Sequence, residues 1–285
     1  MDQEPGSKQE NRLGFSFHRT FSLVRPAVMQ VLELAGQIGG EEAKTLDNKT
    51  IREKTSLGSI YVESMPRYAI GTGLLSFDRQ LTPFGRYALA HDPLLEQHGT
   101  QWLMHYYVSA PHGPGPAFWH DLVARDLYVG HEFGADEIAR HIASFLEQTE
   151  GRTLVERTVR STATVFLGTY IKPDGLGKLG ILTALDGQRY LVTEPVSPPA
   201  WAVAYALLDY WAAHYADRLT VSLDSLTEPG GFMSLFLLGQ QEFGAVLRAL
   251  QAEHYVEVYR TAPPYQVVLL RRDTEPLLKK LYGTE

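Results

Sequence analysis

No cysteine occurs among the 285 residues, so disulfide frames, thiolate zinc sites, iron–sulfur clusters and cysteine nucleophiles are closed to this chain. Long apolar runs are missing too. No stretch reaches the eighteen or so residues that span a bilayer, and the polar start MDQEPGSKQENR has no segment resembling a signal peptide. The expectation is a cytoplasmic chain with no membrane partner. Positive charge is scarce, with 26 Lys and Arg against 33 Asp and Glu and a net charge of −7. That argues against a protein that coats nucleic acid indiscriminately, because phosphate binding needs concentrated Lys and Arg. A phosphate-cradling loop is absent as well: Gly175-Leu176-Gly177-Lys178 lacks the leading glycine and the Ser or Thr of a nucleotide-binding motif. No Gly-x-Ser-x-Gly elbow occurs.

What the chain does have is 44% hydrophobic residues, ample for packed cores, in a length that suits one large domain or two to three small ones. The scarce positive charge is unevenly spread. From Arg12 to Ala90 ten basic residues face seven acidic ones, a balance of +3 that leaves −10 for the remainder. Only this first third suits nucleic acid electrostatically.

The residues up to about Leu13 offer almost nothing to bury and read as a disordered tail. From Pro26 the apolar positions Val28, Val31, Leu32, Ala35 and Ile38 recur at helical spacing up to Gly39-Gly40. Asn48 is placed to cap a short second helix, Lys49 to Thr55, and a third runs from Gly58 towards Gly73, with Pro66 as a kink or a late start. Leu74 to Thr82 reads as a short hairpin before a helix opened by Pro83. Further on, helices are expected around Trp102, Trp119, Ile138 and Phe166, with a hairpin between Leu179 and Val192 turning at Asp186-Gly187. Trp201 to Tyr215 is apolar on nearly every face and must be buried. A helix from Gln241 and two strands, Tyr255 to Tyr259 and Tyr265 to Arg271, complete the series.

Three helices followed by a hairpin make a winged helix. The fold class is therefore mainly α with small β-hairpins, arranged as tandem winged-helix-like units around a helical middle. The division expected is a tail at 1–13, a winged-helix domain at 14–95, a helical middle domain at 96–197 that reads as a degenerate winged helix, and a C-terminal winged-helix-like domain at 198–285.

Several blocks carry a resemblance. Phe15-Ser16-Phe17-His18-Arg19-Thr20-Phe21-Ser22-Leu23 follows a Phe-Ser-Gly-His-Glu-Thr-Phe-x-Leu-Arg pattern, with Phe17 and Arg19 in place of its glycine and glutamate. Gly58, Val62, Met65, Tyr68 and Gly73-Leu74-Leu75 follow a second block, in which Ser59-Ile60 replace a frequent Lys-Asn pair. Leu81-Thr82-Pro83-Phe84-Gly85, Gln101-Trp102-Leu103-Met104-His105, Tyr170, Leu179-Gly180-Ile181 and Ala204 to Trp211 follow later ones in order. On these blocks the chain resembles the SspB-like family of DNA phosphorothioation systems. The resemblance implies a component that engages DNA so that sulfur can replace a non-bridging phosphate oxygen, with nicking of one strand as the associated reaction in an antiphage system. It implies as partners DNA and the system's other proteins: a cysteine desulfurase, an ATPase and a PAPS-reductase-like protein. A non-enzymatic adaptor and a winged-helix transcriptional regulator stay open as alternatives, and so does a homodimer.

His18 and Thr20 are the candidate catalytic residues, since a histidine beside Arg19 can act on a phosphate as donor or general acid; the alternative is that His18 pins the segment by hydrogen bonds. The candidate DNA surface is the third helix and its wing: Arg19, Lys49, Arg52, Lys54, Ser59, Tyr61, Ser64, Arg67, Tyr68 and Arg79. His131-Glu132, Asp136-Glu137 and His141 invite a metal reading, Mg²⁺ or Mn²⁺ being usual in phosphodiester hydrolysis, although their spacing is not that of a zinc-binding helix. Asp136 and Glu137 also suit a helix N-terminus. Without cysteine, any nicking needs a divalent cation or another protein nucleophile.

Overall fold

The structure, a computed structural model, describes residues 12–38, 46–186, 188–261 and 263–284. The tail up to residue 11, the Gly39-Gly40 stop and Gly187 of the expected turn lie outside the described residues. The first elements are α1 (Arg25–Ile38), α2 (Asn48–Lys54), α3 (Ser59–Gly71) and α4 (Pro83–His91). The apolar stripe of α1 is buried from Val28 to Ile38, as its spacing requires. The cap of α2 is Asp47, whose side chain accepts from the Thr50 amide at 2.7 Å, and Asn48 is already inside the helix. Helix α3 continues through Pro66, which is buried with Val62, Met65 and Ala69. The expected hairpin after it is reduced to one antiparallel bridge between Leu75 and Leu81.

The chain goes on through α5 (His98–Ser109), α6 (Ala117–Asp126), β1 (Glu132–Gly134), α7 (Ala135–Glu150), α8 (Glu156–Ile171), β2 (Leu182–Ala184) and β3 (Arg189–Val192). It then forms α9 (Ala200–His214), β4 (Thr220–Ser222), α10 (Leu223–Thr227), α11 (Gln240–Ala252), β5 (Val256–Tyr259), β6 (Gln266–Leu269) and α12 (Glu275–Tyr282). The described residues are thus mainly helical with two small antiparallel sheets. Their orders are β1-β3-β2 and β4-β6-β5, so each sheet adds an early three-residue strand beside the later hairpin. Residues α6 to β3 and α9 to β6 repeat one order: helix, strand, helix, helix, strand, strand.

One apolar core runs through the whole chain. Trp102, Trp119 and Trp211 are fully buried in it, and α12 packs on both α9 and α4, with the Tyr87 hydroxyl donating to Glu275 at 3.1 Å. Among the described residues no helix is long and apolar enough to cross a membrane.

The Leu81 to Gly85 block has a plain physical reading. The Thr82 hydroxyl donates to the Gly73 carbonyl at 2.6 Å and accepts from the Gly85 amide at 2.9 Å, capping α4 while fixing the bridge. Gly85 lies so close to the Leu74 backbone that a Cβ there would meet its carbonyl oxygen at 2.0 Å. Backbone cannot yield as a flexible side chain does. Gly85→Ala is therefore expected to cost about 2 kcal/mol or more, read as a lowered urea midpoint; a midpoint equal to that of the parent would show that α4 can shift.

Candidate nucleic-acid interface

The opening block folds as a tight turn ahead of α1. Phe15 and Phe17 enter the core, and Phe17 packs edge-on against Tyr68 with ring centres 4.9 Å apart. His18 is buried too. Its Nδ1 accepts the Thr20 amide proton at 3.0 Å, which places the ring proton on Nε2, and Nε2 donates to the Thr162 hydroxyl on α8 at 3.2 Å. Burial lowers its pKa to about 4, so the ring is neutral at pH 7. Both nitrogens are thus occupied in pinning the turn to α8. Arg19 and Thr20 take left-handed backbone angles, φ 48° and 70°, unusual for a β-branched residue such as Thr20. They leave the Arg19 side chain exposed, with Nε 3.0 Å from Glu63.

Of the ten residues expected to face DNA, Lys49, Arg52 and Lys54 are exposed on α2 and Ser59 begins α3 in solvent. Tyr61 is half-buried, edge-on to Phe21 at 5.3 Å. Ser64 and Tyr68 are in the core. Ser64 donates back to the Ile60 carbonyl, and the Tyr68 hydroxyl to the Phe21 carbonyl at 2.8 Å, so neither offers a group to a ligand. Arg79, expected at a wing tip, turns inward. Its guanidinium donates to the Leu46 carbonyl at 2.8 Å and to the Asn48 side chain at 2.9 Å. Burial, and then its neighbour Arg67, lower its pKa. Two guanidiniums of like charge therefore lie close enough to repel.

Arg67 also borders a cleft that the sequence did not disclose. The opening turn divides it into two lobes that share Phe15, Ser16 and Arg19. One lobe, about 340 Å³, is closed by Arg67 of α3 and by Arg152 from the α7–α8 connection. The other, about 510 Å³, is closed by Arg157, Thr158 and Ser161 of α8. Arg152 pairs with Glu150 at 2.9 Å. Arg67 and Arg157 have no ion-pair partner among the described residues. Arg152 and Arg157 were hidden in a stretch whose overall balance is acidic, and no spacing rule links them to Arg19.

The other candidate clusters are internally engaged. His131 donates through Nδ1 to the Asp126 carbonyl at 2.8 Å, His141 Nδ1 meets the Asp126 carboxylate at 2.9 Å, Asp136 pairs with Arg160 at 3.2 Å and Glu132 with Arg189 at 2.6 Å. His112, from the α5–α6 connection, meets Asp209 and His214 of α9: His112 Nε2 lies 2.9 Å from Asp209 and its Nδ1 2.9 Å from His214. Asp209 and His214 thus sit at opposite edges of the His112 ring and do not converge on one point. Among the described residues no group of three or more His, Asp or Glu side chains is arranged to hold a metal ion. The described residues do not make up a protein-only site for Mg²⁺ or Mn²⁺.

Two solved structures share the fold. A magnesium ion-bound SspB crystal structure is 17% identical with a TM-score of 0.77, and an SspB crystal structure is 19% identical with a TM-score of 0.74; each likeness covers 95% of this chain and 88% of the other. No curated protein matches the sequence. A family model described as "Protein of unknown function (DUF4007)" matches residues 15–282. From the opening turn through α12, then, nearly every element described above falls within that match, and the chain belongs to the DUF4007 family, with an SspB-like fold.

Proposed function

We propose that this chain is a DNA-binding component of a bacterial DNA phosphorothioation system, working beside that system's sulfur-transfer proteins and ATPase. The observation that carries this is the exposed basic surface of the first unit. Lys49, Arg52 and Lys54, exposed on α2, lead to the half-buried Arg67 on α3, and none of the four makes a direct ion pair among the described residues, Lys49 acting only at longer range on Asp47. In a chain of net charge −7, cations left free together are what binding to phosphate requires. Topology supports the same reading. The order helix, strand, helix, helix, strand, strand, with the first strand beside the last, is that of a winged helix, so the middle and C-terminal segments are proposed as two such units and 14–95 as a third with a reduced wing. The second repeat opens at α9, which supports the proposed division at 197, while the proposed division at 95 puts α5 ahead of the first repeat.

Nicking of one strand is the reaction this reading attaches to the surface: water or a nucleophile other than cysteine forms a new bond to a backbone phosphorus while the P–O bond to one sugar oxygen breaks, and that oxygen leaves as the hydroxyl with the proton the nucleophile gives up. The adaptor reading has its own support. Tyr128 and Val129 are 56% and 52% exposed beside a groove of about 700 Å³ between α6 and the segment before α11, a surface fit for a protein partner.

Reversing Arg52, Lys54 and Arg67 to glutamate is expected to abolish duplex binding at 150 mM salt and to reduce its salt slope by about three, one unit for each lost phosphate contact. Reversing Arg271 and Arg272, which already hold Asp273 and the Ala216 carbonyl, should change it little. Arg79 is left intact because its bonds anchor α2. Fluorescence anisotropy with a short duplex measures both. A larger effect from the Arg271/Arg272 pair would move the DNA surface to the C-terminal unit. Supercoiled plasmid incubated with the protein and Mg²⁺ or Mn²⁺ tests the reaction: open circles support nicking, and unchanged plasmid with a retarded band reduces the role to binding.

A further inference from the structure

We infer that the two-lobed cleft around the opening turn is a phosphate-binding site, seating a backbone phosphate between the first and middle units. This rests on the DNA reading for its source of phosphate but not for its chemistry. Four guanidiniums border the cleft, Arg19 and Arg67 from the first unit and Arg152 and Arg157 from the middle one, and no carboxylate lines either lobe. That is a marked local excess in a chain with seven more acidic than basic side chains. Arg67 and Arg157, one on each side, have no counter-ion among the described residues. An anion between them would supply it.

Hydroxyls complete the lining. Ser16 lies in both lobes and Ser161 in the larger, and each can donate to a phosphate oxygen that also accepts from a guanidinium. The shape is held from behind. His18 bonds the turn's Thr20 amide and α8's Thr162, fixing the distance between the element that carries Arg19 and the helix that carries Arg157. The part the sequence suggested for His18, acting on phosphate itself, passes to the arginines it positions. Arg67 belongs to both this cleft and the α2–α3 surface, so a strand crossing α2 is led to the opening turn.

The test uses the full chain and the double variant Arg152→Gln/Arg157→Gln. Both side chains are exposed, and among the described residues their one side-chain bond is the Arg152–Glu150 pair, so folding should survive; circular dichroism checks it. Two probes are used, a short DNA duplex by anisotropy across a salt series and inorganic phosphate by its effect on the melting temperature. The expected result is a loss of at least about tenfold in duplex affinity, as charged hydrogen bonds are removed, with the salt slope reduced by about two. Phosphate should raise the melting temperature of the parent and not of the variant. If the phosphate effect is lost in the variant while duplex binding is unchanged, the cleft takes a small phosphorylated molecule instead of DNA. If neither probe distinguishes variant from parent, the cleft is no phosphate site, and DNA binding through α2 stands or falls by its own experiment. Should the parent bind phosphate and no DNA at all, the DNA reading fails and the cleft remains.

Discussion

Arg25→Met is expected to destabilise the protein by about 4 kcal/mol, a large share of the 5–15 kcal/mol that usually holds a domain folded. The Arg25 side chain is 1% exposed, and its guanidinium donates at 2.6 Å each to the carbonyls of Gly175, Leu95 and Pro173 and at 3.0 Å to Glu96. Its own amide donates to the Asp174 carbonyl at 2.7 Å. Methionine fills much of the volume but strands the buried Gly175 carbonyl and leaves the Leu95 carbonyl with the Gln101 amide alone, and a stranded buried group costs on the order of 1–3 kcal/mol. Lysine keeps the charge and still fails, because an ammonium lacks the planar fork that meets partners in three directions. Urea denaturation of both variants measures this, and an Arg25→Lys protein within about 1 kcal/mol of the parent would show that charge alone suffices. One bond network here ties the start of α1 to the α4–α5 connection and to the loop after α8. The variant should therefore loosen the cleft as well as the core, since α8 carries Arg157.

Arg25 also illustrates what the sequence could not disclose. Counted with the first unit's basic residues, it raised the apparent fitness of that third for DNA, yet it faces inward. Nothing in local spacing distinguishes it from Arg52, because its three carbonyl partners lie 70 to 150 residues away. Tyr68 and Ser64 went the same way. A polar side chain on a helix reads as surface until the helix packed against it is known. The long helices were legible because a buried stripe repeats every three to four residues, and the β2–β3 and β5–β6 hairpins because turn residues separate two apolar runs. Strands β1 and β4 were not. Three residues carry no period, and each strand exists only because β3 or β6, more than forty residues later, offers it an edge. The cleft failed to show for a related reason. Net charge averages over a segment, whereas a site collects the few cations that folding brings together.

Acidification from pH 7 to pH 5 should destabilise the protein by on the order of 3 kcal/mol through two buried histidines. His105 is fully buried on α5. It donates from Nε2 to the Leu235 carbonyl at 2.8 Å and accepts at Nδ1 from the Tyr170 hydroxyl at 2.9 Å, which itself accepts from the Trp119 indole at 3.0 Å. Burial lowers its pKa from 6.5 to about 4, outweighing the Leu235 carbonyl, and lowers that of His18 from 6.5 to about 4 as well. Below about pH 6.5 the unfolded chain takes up protons on both rings that the native state refuses until about pH 4. The folded state is therefore at full advantage above pH 6.5 and loses about 1 kcal/mol per pH unit for each ring on the way down. Glu96, Asp47 and Asp273, whose pKa values are lowered by their partners, lose their contributions only at lower pH. The interval from 7 to 5 thus isolates the histidines. His120, lowered by burial, and His214 move in the same direction and add to the fall, His214 less because it is exposed. Urea midpoints at pH 7 and pH 5 are the measurement, on the parent and on His105→Gln. The glutamine protein should be less stable at pH 7 because the Tyr170 and Leu235 partners are less well met, yet its stability should fall between the two pH values by clearly less than the parent's, the difference being the share of His105. If both proteins lose the same amount, His105 takes up its second proton as readily in the folded state as in the unfolded chain, and the neutral ring that orders Trp119, Tyr170 and the segment before α11 must be redrawn.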